Sequence, residues 1–81
     1  MSKAVINMST RARKRVENRI KTLCEELKNK RVALGYTQEQ FAEIVGVSEM
    51  SIKFIEQGRR IPSLTMFVRI AVALELELHL S

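Results

Sequence analysis

Residues 42–52 read AEIVGVSEMSI and interrupt a chain that is otherwise rich in helix-forming residues. Gly46 can adopt the left-handed backbone conformation that a tight turn between two helices requires, at no steric cost. Ser48 is a suitable N-cap for a new helix, and Val47 and Ile52 are spaced to form a hydrophobic staple across that cap. The stretch therefore predicts two short helices joined by a sharp turn.

The sequence on either side of this turn completes the two helices. Thr37 followed by Gln40 matches the capping-box pattern and predicts the start of the first helix. The residues expected on its buried face are Phe41, Ile44 and Val45. The second helix begins after Ser48, directs Ile52 and Ile55 inward and ends at Gly58. Ala42 allows the two helices to approach closely.

Two further helices are predicted outside this pair. Apolar residues recur at spacings of three or four from Thr10 onward, and Gly35 is a suitable C-terminal cap for this long helix. Its stripe comprises Val16, Ile20, Leu23, Leu27 and Leu34, with Cys24 at the border as a small core residue. Pro62 and Ser63 begin a fourth helix. Its helically spaced apolar residues are Leu64, Phe67, Ile70, Ala71 and Leu74.

The period changes from helical to alternating in residues 75–80, ELELHL. Alternation of this kind favours a short strand, although a continued helix stays open because Leu and Glu are strong helix formers. On a strand, Glu75, Glu77 and His79 would share one face. A solvated face is favoured over a metal site there, because metal ligands are normally supported by further hydrogen-bonding partners.

Composition limits the class of protein. A length of 81 residues predicts one domain, or one domain with a tail. The net charge of +5 is unevenly placed: residues 1–31 hold ten Lys/Arg and three Glu, whereas residues 32–81 hold four Lys/Arg and six Glu. This asymmetry is as compatible with a polyanionic partner as with a solvated helix face. One cysteine and no apolar run near 20 residues predict a cytoplasmic protein without a membrane partner. With no Asp, one His and no Gly-rich phosphate loop, neither an enzyme nor a cofactor is expected.

The stretch TQEQFAEIVGVSEMSIKFIEQGRRIPSL, residues 37–64, resembles the lambda-repressor-like, Xre-type helix-turn-helix transcriptional regulators. The resemblance extends from Leu23 to about Leu74. The matched positions are Gly35, Thr37, Gln38, Ala42, Gly46, Val47, Ser48, Ile52, Glu56, Gly58, Pro62, Ser63, Leu64, Ala73 and Leu74. It implies an all-α fold, a compact lambda-repressor-like bundle of four to five helices. The short C-terminal strand favoured by the alternating pattern would follow this bundle.

The resemblance also implies which residues contact DNA. The base-facing positions fall on Ser48, Glu49, Met50, Lys53 and Phe54 of the recognition helix. Phosphate-contacting positions fall on Thr37, Gln38, Ser51, Arg59 and Arg60. Phe54 stands where many relatives carry a polar reader, so contact with a base and packing against a neighbour both stay open. In the family, the positions of Arg31 and Glu56 form an internal ion pair.

The chain departs from the family pattern after Leu74, where relatives usually add a fifth helix. Its ending is similar to that of antitoxin-repressors, in which a terminal strand pairs between subunits. A dimer interface is therefore expected, with a strand or helical turn folded back on its own domain as the alternative. The interface residues expected are Phe67, Ile70, Leu76, Leu78 and Leu80.

These inferences predict a sequence-specific DNA-binding transcriptional regulator, a repressor that binds an operator with two half-sites as a homodimer. The alternative is an antitoxin that neutralises a toxin protein and regulates its own operon. Residues 1–9 are expected to be a flexible N-terminus, and residues 10–81 the DNA-binding domain with its C-terminal dimerisation segment. The basic run at residues 11–15, RARKR, is either a phosphate contact or the solvated start of the first helix.

Overall fold

A computed structural model describes residues 9–76, which contain four helices and the turns between them. The helices are α1 (Thr10–Ala33), α2 (Gln38–Val45), α3 (Glu49–Glu56) and α4 (Leu64–Ala73). The predicted all-α class and the helix-turn-helix of α2 and α3 are confirmed. None of these helices is both long and apolar enough to cross a membrane.

Each helix begins after a serine or threonine whose side-chain oxygen accepts a backbone N–H three residues later. The distances lie between 3.0 and 3.1 Å for Ser9, Thr37, Ser48 and Ser63. At Thr37 the capping box is complete, because its own N–H donates to Gln40 Oε1 at 2.9 Å. The three caps predicted from the sequence are therefore present, and they fix where α2, α3 and α4 start.

The turn between α2 and α3 depends on the backbone conformation of Gly46. Its φ is +87°, and its N–H and that of Val47 both donate to the Ala42 carbonyl, at 2.8 and 3.0 Å. A Cβ at Gly46 would meet no atom within 4 Å. The requirement for glycine is therefore the left-handed conformation rather than space. Ala42 itself is buried where the helices meet.

The end of α4 differs from the predicted strand. Glu75 has a φ of +59° and lies in a left-handed turn, and Leu76 N–H donates to the Ala71 carbonyl at 2.9 Å. This is the helix-ending geometry that glycine usually provides. The strand prediction was therefore wrong for Glu75 and Leu76, because both N–H groups donate to carbonyls of α4 in the turn that ends the helix. The remaining positions of the predicted strand, residues 77–80, lie outside the described residues.

The core is built where the three short helices meet the second half of α1. α2 packs on α3 and α4, and α1 packs on α3. The buried cluster comprises Leu27, Phe41, Ala42, Val45, Ile52, Ile55, Ile70 and Leu74. Cys24 is also buried, as predicted, and burial raises the pKa of its thiol.

Four apolar residues of the predicted helical stripes are exposed instead of buried in this core. Ile44 is 51% exposed and Leu64 is 79% exposed, although both have the expected helical spacing. The arc that neighbouring helices cover is narrower than the apolar stripe, so residues at its margin face solvent. Val16 and Leu23 of α1 are also exposed because the helix, 24 residues or about 36 Å long, extends past the helices it packs against.

Arg31 and Glu56 form the ion pair that the family resemblance implied. Arg31 Nε donates to Glu56 Oε2 at 2.6 Å and Nη2 to Oε1 at 3.1 Å, with side-chain exposures of 8% and 6%. Arg31 Nη1 also donates to the Tyr36 carbonyl at 2.6 Å. Gln38 Nε2 donates to Glu56 Oε1 at 3.1 Å. The charges are thus paired and hydrogen-bonded inside the protein, joining α1, α2 and α3.

Replacing Glu56 by Gln should lower the free energy of unfolding by about 3–5 kcal/mol, because it leaves the buried Arg31 guanidinium uncompensated. Urea denaturation followed by circular dichroism measures this. Glu49→Gln is the matched control. Its pair with Lys53 has an N···O distance of 4.0 Å and both side chains are 45% exposed, so its loss should cost less than about 1 kcal/mol. Equal stability of the Glu56→Gln protein and the wild type would contradict the structural importance of the pair.

Candidate nucleic-acid interface

One side of α3 is buried in the core and the opposite side is exposed. Ile52 and Ile55 are buried, and Glu56 is tied to Arg31. The opposite side carries Met50, Lys53, Phe54 and Gln57, all at least partly exposed. Their spacing of three and four places them on one face of the helix. An α-helix with its side chains is about 10–12 Å across and a B-DNA major groove about 12 Å wide, so this face has suitable dimensions.

The base-facing residues predicted from the sequence lie together at this face. Ser48 caps α3, and its Oγ lies 3.0 Å from Ser51 Oγ. Glu49 and Lys53 are half-exposed and only loosely paired. Their charged groups are therefore available to another partner at little energetic cost.

Phe54 packs against the two arginines that follow α3. The guanidinium carbons of Arg59 and Arg60 lie 5.0 and 5.9 Å from the centroid of its ring, within the range of a cation–π interaction. Arg60 Nη1 also donates to Ser51 Oγ at 2.9 Å. Of the two alternatives for Phe54, the structure thus shows packing against neighbours, and the ring holds the two cations beside the exposed face of α3.

Gln38, expected at a phosphate, also takes part in the internal ion-pair network. One N–H of its side-chain amide donates to Glu56 Oε1 within the protein. Gln38 is the first residue of α2. The backbone N–H groups of a helix's first turn are donors for anions, so the α2 N-terminus retains that capacity through its main chain. Thr37 is exposed beside it.

Gln57 was missed by the sequence reasoning. It is the exposed C-cap of α3 and follows Met50, Lys53 and Phe54 at the helical spacing of the outward face. The signal was present in the sequence, since residues 50, 53, 54 and 57 repeat the pattern used for the buried face. The family resemblance did not indicate Gln57, because the base-facing positions that it implies end at Phe54.

Three of the five expected dimer residues, Phe67, Ile70 and Leu76, lie within the described part of the chain. Ile70 is only 1% exposed and belongs to the core of its own chain, and Phe67 is half-buried. Leu76 is partly exposed, whereas Leu78 and Leu80 lie outside the described residues. The apolar residues that this part of the fold exposes are instead on α4 and the end of α2. We call this set the α2–α4 apolar patch: Ile44, Leu64, Val68 and Val72.

No group of three or more potential metal-binding side chains occurs within residues 9–76. Of the three residues considered for a metal site, Glu75 belongs to the turn that ends α4. Glu77 and His79 lie outside the described range.

Comparisons with known proteins agree with this geometry. Residues 27–80 match a family model described as helix-turn-helix. This chain is 41% identical to the cryptic phage CTXphi transcriptional repressor RstR of Vibrio cholerae over 54 residues, which are 67% of its length. Over a region of the same length it is 34% identical to the HTH-type transcriptional regulator YgzD of Bacillus subtilis, covering 82% of that protein. The match spans only 48% of RstR, about half its length.

A solved structure is also similar. The restriction-modification controller protein C.AhdI of Aeromonas hydrophila has a TM-score of 0.70 and 28% identity, over 75% of this chain and 88% of that one. A fold of four helices with an outward-facing α3 thus defines a helix-turn-helix regulator. The chain belongs to the Xre-type, lambda-repressor-like helix-turn-helix family of transcriptional regulators.

Because the Phe54 ring lies against two guanidinium groups, the Cδ protons of Arg59 and Arg60 should show upfield NMR shifts from its ring current. Phe54→Leu should abolish these shifts and lower the free energy of unfolding by about 1 kcal/mol, because the cation–π interactions are removed. Phe54→Tyr, which keeps an aromatic face, should preserve both. Ordinary random-coil shifts for the arginine protons in the wild type would argue against this arrangement in solution.

Proposed function

We propose that this protein is a sequence-specific transcriptional repressor that binds operator DNA as a homodimer, with α3 in the major groove. The observation that carries the proposal is the outward face of α3. It presents polar and apolar groups together, and it is bordered by cationic and amide donors suited to phosphate. Direct readout of base edges with phosphate contacts on either side is the usual division of roles in such complexes.

The residues on the outward face have distinct capacities for base recognition. Lys53 can donate to the O6 and N7 atoms of guanine, and Glu49 can accept from the N4 amino group of cytosine. Met50 can pack on a thymine methyl group. Gln57, with both a donor and an acceptor, suits the N6 and N7 edge of adenine. These four side chains set the sequence preference in this proposal.

Phosphate contacts then fix the orientation of α3. Arg59 and Arg60 are held against Phe54, so less side-chain freedom is lost when they meet the DNA backbone. Ser51 accepts from Arg60 and keeps that guanidinium near the groove. On the other side, the N-terminus of α2 at Thr37 and Gln38 offers main-chain donors. In this arrangement Phe54 acts by positioning the arginines.

Repression rather than activation is supported by the similarity to a phage repressor. A dimer that covers an operator blocks access to a promoter without any further contact. Two recognition helices are needed because one reads too few base pairs, and half-sites in such operators lie about one turn, ~10 bp, apart. We therefore propose that the C-terminal segment holds two subunits at that separation.

In this proposal the dimer surface comprises Leu76, Leu78 and Leu80, with Phe67 at its margin. Ile70 is omitted because its own chain covers it. Leu76 lies three residues after the end of α4, and Val72 of the α2–α4 apolar patch lies in the last turn of that helix. Burial of that patch stabilises association.

The α2–α4 apolar patch also supports a second candidate function, that of an antitoxin. Exposed apolar patches mark sites of protein association, and a toxin could cover these side chains instead of a second subunit. Purification from a host that also expresses the neighbouring reading frames would reveal a stable 1:1 or 2:2 complex. Such a complex is the observation that distinguishes the two functions, because an antitoxin that regulates its own operon would also bind operator DNA.

Lys53→Ala and Glu49→Ala should each change the preferred base at one operator position, by about 1–3 kcal/mol in discrimination. Arg60→Ala should weaken binding to all sequences alike and reduce the salt dependence. Selection of bound sites from random DNA measures the first effect, and gel shifts at several salt concentrations the second. If Lys53 and Glu49 can both be removed with no change in the selected sequence, α3 does not read the bases as assigned.

Leu78→Glu should convert the dimer to a monomer and abolish operator binding, because it introduces a charge into the proposed interface. Sedimentation at micromolar concentration and circular dichroism would report association and folding. His79→Glu is the matched control: it adds a carboxylate at the neighbouring position, on the other face of an alternating segment, and should leave the dimer intact. A Leu78→Glu protein that sediments as a dimer would place the interface elsewhere.

A further inference from the structure

The first part of α1 contributes no fully buried side chain to the core. Residues 10–23 contain no buried side chain, and the first buried residue of the helix is Cys24. The family model begins at residue 27. We call residues 10–23 the α1 extension. At 1.5 Å per residue it is about 21 Å long, so it forms a projecting arm beyond the part of the chain shared with the family.

The α1 extension is strongly basic. It carries six cationic residues and one acidic residue, Glu17, and all seven are exposed. The cations are Arg11, Arg13, Lys14, Arg15, Arg19 and Lys21. None of them forms a salt bridge with a carboxylate of residues 9–76. Arg11, Arg15 and Arg19 recur every fourth residue and form one stripe along the helix.

This charge distribution does not serve the stability of the helix. Cationic residues near a helix N-terminus oppose the macrodipole, whereas acidic residues there are favourable. The first turn of α1 contains no acidic residue, although α2 and α3 begin with Glu39 and Glu49 in theirs. The basic residues are therefore placed where they cost the isolated protein stability, which is consistent with an external anion as their partner.

The C-terminal end of the α1 extension lies beside the end of the recognition helix, α3. Lys21, at its base, and Glu25 line the same cleft as Gln57 and Gly58. Arg59 and Arg60, which carry the proposed phosphate contacts, follow Gly58 directly. Lys21 thus lies near the chain segment that carries Arg59 and Arg60, with the Glu25 carboxylate in the same cleft.

We propose that the α1 extension binds the phosphate backbone of DNA that flanks the half-site read by α3. This inference rests on the proposed function, and it adds a second, sequence-independent contact region. Arg11 lies ten residues from Lys21, about 15 Å along the helix. At 3.4 Å per base pair the extension can therefore reach about 4–5 bp beyond the contacts of Arg59 and Arg60.

A second copy of the chain fits this surface less well than DNA does. Val16 and Ile20 offer a short apolar strip, but Arg13 occupies the same side of the helix one turn earlier. Pairing two extensions would bring these arginines and their neighbours together, and like charges across an interface are unfavourable. The phosphates of DNA compensate the whole cationic set.

The test compares two charge-matched double variants on two DNA duplexes. Arg11→Gln with Arg15→Gln removes two charges from the extension. Lys28→Gln with Lys30→Gln removes two charges from the other end of α1, and Lys28 lies about 20 Å along the helix from Arg15. The probes are the duplex obtained by selection from random DNA and the same duplex lengthened by five base pairs at each end.

The wild type and the control should bind the longer duplex at least tenfold more tightly than the shorter one. The Arg11→Gln, Arg15→Gln protein should lose this gain. Its slope of log K against log salt on the longer duplex should be smaller by about 3.6, because a dimer of this variant neutralises four fewer phosphates and each contributes about 0.9 to the slope. Circular dichroism of both variants would show that α1 remains helical.

Equal slopes for the two double variants, or no gain from the longer duplex, would overturn the inference while leaving the proposed function intact. Loss of the dimer in the Arg11→Gln, Arg15→Gln protein would also overturn it, because the extension would then be a subunit contact. If the wild type selects no sequence at all, the proposed function fails and this inference fails with it.

Discussion

The ion pair between Arg31 and Glu56 is the constraint on which the rest of the structure depends. It joins the end of α1 to the last turn of α3, and it takes in the Gln38 side chain and the Tyr36 carbonyl. These two additional hydrogen bonds stabilise the pair, because a buried charge is costly unless it is both paired and hydrogen-bonded. The result is that α3 has one fixed orientation relative to both α1 and α2.

A fixed orientation is what an eight-residue α3 cannot achieve alone. Isolated helices shorter than about 12–15 residues are marginal in water, so the stability of α3 comes from Ile52, Ile55 and Glu56 on its inner side. Its N-cap at Ser48 and the left-handed turn at Gly46 add local definition. Because these residues hold α3 in place, the side chains on its outer face are not needed for folding and can bind a partner.

The sequence predicted the helices, their caps and the ion-pair partners because these depend on local spacing and on a matched family pattern. It misplaced Ile44, Leu64 and Ile70 because helical periodicity defines a stripe without defining which part of it other helices cover. Glu75 was misread because a left-handed cap is normally glycine. The contact of Phe54 with Arg59 and Arg60 could not be predicted from the sequence, because it depends on how the chain turns after Gly58.

The charges of the fold separate affinity from specificity. α3 exposes one acidic and one basic residue, Glu49 and Lys53, and its Glu56 is neutralised by Arg31, so the helix itself is not attracted to a polyanion. Long-range attraction falls off over a Debye length of about 8–10 Å at moderate salt, and cations must therefore lie close to α3 to bring it to DNA. Arg59 and Arg60 meet that condition directly, and the α1 extension adds further cations. A weakly charged α3 then has an advantage: its contribution to binding depends on the bases it meets, because phosphate attraction is supplied by its neighbours.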